Sequence, residues 1–206
     1  MLADLTKKSM SVESVTRKAL KDEQIFSDLF EGIQSKNETT RYNSFKVLMR
    51  LSEEHPEVLY PEWDFFVEML DSPNSYWRLS AVRLIANLIK VDTKNKFERI
   101  FDKYYKLLND SVIVAIYLVR DSGKIVRAKP KLQTKITNKL LNIDKTQQKH
   151  KDLVKGAAIQ AFSDYFEEAE DKKRIIDFVK AVLKGESPKA RKIAKEFLNK
   201  WGSNPL

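Results

Sequence analysis

Residues 70–90, LDSPNSYWRLSAVRLIANLIK, decide the fold. A polar turn with Pro73 leads into Tyr76, Trp77 and Arg78, and apolar residues then recur three and four apart. That spacing lines one side of an α-helix, whereas a strand would alternate every second residue. The aromatic residues with Arg78 suit a site that stacks a base or sugar and grips a phosphate. They equally suit the head of a helix-turn-helix unit, and the rest of the chain favours that second reading.

The same plan recurs outward from this stretch. Helical periodicity covers nearly the whole chain, with Pro and Gly mostly at boundaries and no hairpin signal, so an all-α chain is expected. The helices group in pairs over about residues 22–54, 61–90, 97–128, 131–168 and 172–201, with Pro61 opening the first helix of the second pair. The second helices overlay on a small residue, Ser44, Ala81, Ala115, Ala158 or Ala194, spaced 37, 34, 43 and 36 apart. An apolar pair follows each: Val47/Leu48, Leu84/Ile85, Leu118/Val119, Ala161/Phe162 and Phe197/Leu198. Self-similarity near this period marks a helical solenoid, whose units bury their apolar faces by stacking on neighbours. Residues 1–20 stand outside the pattern. SVESVTRKAL is expected either as a capping helix, with Ser11 or Ser14 as its cap, or as a tail, and GSNPL after Trp201 is expected to stop the last helix.

On these residues the chain resembles the HEAT-repeat family over about 22–201. Asp71, Trp77, Arg78, Ala81, Leu84 and Ile85 meet the family's full pattern of turn acid, apolar residue, Arg, small residue and aliphatic pair. Arg41, Lys155 and Arg191 stand at the arginine position, where the third unit has Val112; the turn position holds Asn109 in the third unit and Lys184 in the fifth. The resemblance implies one domain, a right-handed α-α superhelix of about five helix pairs with the second helices lining its concave side. The small residue then permits close helix approach, Asp71 caps free amides, and Arg78 pairs with a turn acid.

Composition removes several classes of chemistry. The chain has no Cys, so disulfides, thiol nucleophiles and thiolate metal sites are absent. Its two His residues, His55 and His150, lie far apart, and neither GxGxxG nor GxxxxGK occurs among its five Gly. No apolar run approaches the roughly 20 residues of a membrane span. MLADLTKKSM lacks the layout of a secretory signal, so a cytoplasmic protein without cofactor, metal or membrane is expected, monomeric by default. The net charge of +9 is concentrated, with eleven Lys/Arg against three Asp between 120 and 155. A basic zone of this kind meets nucleic acid or an acidic protein surface, or simply keeps helices solvated.

With no catalytic set in view, the expected function is that of a non-enzymatic adaptor or scaffold that presents its concave surface to a protein partner. The candidate residues lie opposite the core stripe of the second helices: Lys46, Arg50, Arg83 and Asn87, then Tyr117 and Lys124. Lys90, Asp121, Gln160, Asp164, Glu196 and Lys200 continue these rows. The alternative is nucleic-acid binding through 120–155, with Arg127, Lys131, Lys135 and Lys139 as a convex basic stripe that contacts phosphates without reading bases. HEAT-like DNA glycosylases make repair chemistry the enzymatic exception, for which Asp121 and Asp164 are the first acids to test. The acidic run Glu167 to Asp171 reads as local charge pairing with Lys172, Lys173 and Arg174 rather than a cation site.

Overall fold

In a computed structural model that describes residues 3–202, every regular element is helical, and contacts divide the chain into one unit that runs to Asp92 and another from Thr93. No helix among the described residues is long and apolar enough to cross a membrane.

The first unit begins with α1 (Val12–Ala19), capped by Ser11, whose Oγ accepts from the Ser14 amide. Val15 and Ala19 are buried, and the helix packs on α2 (Glu23–Ile33) and α3 (Glu38–Glu54), so residues 12–19 cover the first helix pair. The Asn43 amide donates to Leu5 O at 2.9 Å and Lys7 O at 2.8 Å, which ties the preceding segment to α3 as well. The second pair does not start at Pro61. Pro56 opens α4 (Pro56–Leu59), a 3-10 turn takes Tyr60–Glu62, and α5 (Trp63–Met69) follows. Proline lacks the amide for an interior helical bond and clashes with the preceding turn, so an α-helix does not run unbroken through Pro61. After the turn comes α6 (Ser75–Leu88), which packs on both α5 and α3.

The second unit contains α7 (Lys96–Lys106), α8 (Val112–Ala128), α9 (Gln133–Leu141), α10 (Lys151–Ser163), α11 (Lys172–Val182) and α12 (Pro188–Trp201). Gly202 caps α12, while the Ser203–Leu206 part of the expected stop lies outside the described residues. Here α10 lies between α8 and α12, and α9 touches α11. Tyrosine hydroxyls join first to second helices: Tyr105 Oη of α7 lies 2.9 Å from Ser122 Oγ of α8, and Tyr165 Oη, just past α10, lies 2.8 Å from Thr137 Oγ1 of α9. The helix expected to run to 168 stops at Ser163, because Phe166 turns inward against Phe197 and Trp201.

The repeat register holds at the level of burial. Ser44, Ala81, Ala115, Ala158 and Ala194 are all 0% exposed. Small residues let backbones close in where helices cross: a Cβ on Gly156 would lie 3.3 Å from that of Ala190, between α10 and α12. The arginine position has a common duty. Arg41 Nη1 donates to Ser35 O at 3.0 Å, Arg78 Nη1 to Ser72 O, and Arg191 Nη1 to Gly185 O at 2.8 Å. Each guanidinium thus satisfies a carbonyl six residues back, where the first helix of the pair has run out of amides. Lys155 instead pairs with the loop acid Asp144 at 2.7 Å. The cap of α6 is Asn74, whose Oδ1 accepts from the Tyr76 amide, rather than the expected Asp71.

Candidate interaction face

The helices α3 and α6 lie side by side and between them leave a pocket of about 160 Å³. Residues spaced three and four apart turn inward from both: Arg41, Tyr42 and Phe45 from α3, Tyr76, Leu79 and Ser80 from α6, with Glu38 at one end. Tyr42 and Tyr76 are each 59% exposed, unusual for large rings. Cations lie against these rings. The Arg41 guanidinium is 5.1 Å from the Tyr76 centroid, Lys46 Nζ is 4.7 Å from that of Tyr42, and the Arg83 guanidinium is 5.7 Å from that of Phe45. Lys46 and Arg83, two of the residues expected from the sequence, therefore flank one feature.

The next row on the same helices is differently employed. Arg50 Nε donates to Glu54 at 3.0 Å, and Lys90 Nζ donates to Glu53 O. Asn87 is 7% exposed and donates to the buried Ser52 Oγ at 2.8 Å. It is part of the α3–α6 joint, so the expectation that Asn87 lies on the open face opposite the core stripe is corrected. The opening cluster also divides. Arg78 closes its turn and Trp77 is largely covered, but Tyr76 lines the pocket, which reading the cluster as purely structural had missed.

In the second unit the Arg120 guanidinium lies 4.3 Å from the Tyr117 ring centroid, and Lys124 Nζ is 3.4 Å from the Asp121 carboxylate, itself 3% exposed. Arg127 Nη1 reaches Asp164 at 3.5 Å. A Cβ on Gly123 would lie 2.3 Å from Asp164 Oδ2, so the absence of a side chain on α8 lets that acid settle against it. Burial raises the Asp164 carboxyl above the ordinary aspartate range, opposed by the charges of Arg127 and Lys124 and assisted by that of Asp121. Gln160, Glu196 and Lys200 are exposed.

The basic stripe, Lys131 just before α9 and Lys135 and Lys139 on it, faces α7. Lys131 Nζ is 2.9 Å from Glu98, Lys139 Nζ is 3.3 Å from Asp102, and Lys135 Nζ lies 3.7 Å from the Phe101 ring centroid. Lys129, nearly buried, joins Glu98 at 3.0 Å and the left-handed Asn95 at 2.9 Å. Burial works against the charge on Glu98, yet the bonds from Lys131 and Lys129 leave its carboxyl below the ordinary range. The stripe thus runs along a neighbouring helix, with Lys131 and Lys135 still exposed. In the acidic run, Glu170 accepts from Thr134 Oγ1 at 2.7 Å and Asp171 pairs with Arg174 at 3.2 Å.

No family model and no curated protein matches the chain. Among solved structures, an engineered protein from the Northeast Structural Genomics Consortium is similar, with 15% identity, a TM-score of 0.51 and 98% of each chain covered. At that identity the likeness concerns the fold alone.

Proposed function

We propose that the protein is a HEAT-like α-solenoid that acts as a non-enzymatic cytoplasmic adaptor, with the α3/α6 face as its docking surface for a protein partner. One observation carries the reading: two exposed tyrosines face each other across a pocket, each with a cation on its ring. Tyrosine and arginine are the residues on which interface energy concentrates, and they are strongest when grouped around a pocket. The common register of the second helices and the arginine-closed turns support the HEAT-like assignment. The nucleic-acid alternative loses support from Lys131 and Lys139, whose charges are met by Glu98 and Asp102.

The test is partner capture by the full chain beside a Tyr42→Ala/Tyr76→Ala variant of unchanged circular dichroism. The reading expects a partner retained by the first and lost by the second. Equal retention by both would count against this face. Random duplex DNA, titrated with salt, supplies the contrast: phosphate-driven binding falls steeply and log-linearly with salt.

A further inference from the structure

We infer that the α3/α6 groove recognises an acidic peptide segment through one apolar side chain, of leucine or phenylalanine size, seated between Tyr42 and Tyr76. This rests on the reading of α3/α6 as a docking face and names what the face takes. The pocket's volume sets the size of the anchor. At about 160 Å³ it matches a cavity of roughly 150 Å³ that accepts one benzene, well below the ≈ 300–1,000 Å³ of sites for whole small molecules. Its walls set the polarity. Phe45, Leu79 and the two tyrosine rings are the main surfaces, and Ser80 Oγ already donates to Tyr76 O at 2.8 Å. An apolar group entering the pocket therefore leaves no polar group stranded, whereas a polar one would find no free partner at the floor.

The rim sets the charge of the flanking residues. Lys46 lies over Tyr42 and makes no ion pair with any carboxylate among the described residues, so its ammonium is open to an incoming acid. Arg41 is held by Ser35 O and by the face of Tyr76, which fixes one wall before any ligand arrives. Glu38 is the single acid of the lining and stands at one end, leaving the cationic side to the ligand's carboxylates. The hydroxyls of Tyr42 and Tyr76 make no hydrogen bond among the described residues and are further donors for them. A nucleic-acid base fits this groove less well. Stacking draws on open ring faces, and a cation already covers one face of each tyrosine.

The experiment is fluorescence anisotropy with the full chain and a short fluorescein-labelled peptide carrying a single Phe flanked on both sides by Asp and Glu. Replacing that Phe by Ala should weaken binding by about 10- to 100-fold, the worth of one buried side chain. Tyr76→Ala and Lys46→Glu, both at solvent-facing positions, should each weaken it at least about fivefold with circular dichroism unchanged. Equal affinity for the Phe and Ala peptides, or for a version with Lys and Arg in place of the acids, overturns the assignment. So does oligothymidylate that binds the chain and is lost in Tyr76→Ala, which would make the groove a nucleic-acid platform. If no peptide binds while partner capture still depends on Tyr42 and Tyr76, the acidic-peptide assignment falls and the docking face stands. If neither depends on those tyrosines, both fall.

Discussion

Replacing Gly32 by Ala should destabilise the first unit, although alanine is the better helix former. Gly32 lies in α2 where it meets the small-residue position of α3: an added Cβ would be 2.1 Å from Ser44 Oγ, 3.1 Å from Ser44 Cβ and 3.4 Å from Leu5 Cδ1. Ser44 is fully buried and its Oγ is committed to Thr40 O at 2.9 Å, so the hydroxyl does not swing away freely. Relief of glycine's helix penalty contributes about 1 kcal/mol in favour of alanine. Overpacking of a filled site costs about 1–3 kcal/mol. The expected net is a loss of about 1 kcal/mol, with a plausible span of roughly 0–2 from the same two magnitudes. In a Ser44→Ala background the 2.1 Å clash is gone and only contacts of 3.1 Å and longer remain. There Gly32→Ala should be neutral or stabilising, with a coupling between the two sites of about 1–2 kcal/mol. Urea unfolding followed by tryptophan fluorescence reads this well, since Trp63 and Trp77 belong to this unit and only Trp201 to the other. Stabilisation by Gly32→Ala alone, or additivity within about 0.5 kcal/mol, would refute the packing argument.

Other expectations follow from the same contacts. Asn43→Ala leaves two carbonyls near α3 without their amide, so it should cost about 1–2 kcal/mol and speed hydrogen exchange over residues 3–7 and α1; unchanged exchange there would show that the tether is idle. Asp164 should titrate above the ordinary 3.8, and higher still in Arg127→Ala, as read by carboxyl NMR. Because its folded carboxyl holds the proton where the unfolded one has released it, its contribution to stability declines as pH rises from 3.8 through the raised value. Asp164→Asn should remove that decline, and a titration midpoint at or below 3.8 would contradict the burial argument.

The repeat was legible because apolar periodicity reports burial directly: every residue assigned to the small position is covered, and the second helices end within a few residues of their expected bounds, α10 excepted. Position along a helix did not say which neighbour a polar face would meet. Lys131, Lys135 and Lys139 were readable as one stripe, but that Glu98, Phe101 and Asp102 of α7 form its counterpart depends on how α7 and α9 pack. Their own near-fourfold spacing was the available signal. Asn87 looked spare because its row in other units is charged, while its bond to Ser52 depends on the α3–α6 crossing. The tyrosine pair was the least visible feature. Tyr42 and Tyr76 occupy different positions of the repeat, so laying the units over one another separates two residues that adjacent helices bring to the same pocket.

The central claim is that α3 and α6 together carry the binding site, and amide chemical-shift mapping of the full chain with the Phe-containing acidic peptide tests it most directly. The account predicts saturable shifts confined to the neighbourhood of Tyr42, Phe45, Lys46, Tyr76 and Leu79. Shifts centred instead on Lys131, Lys135 and Lys139, or none near the two tyrosines, would contradict it.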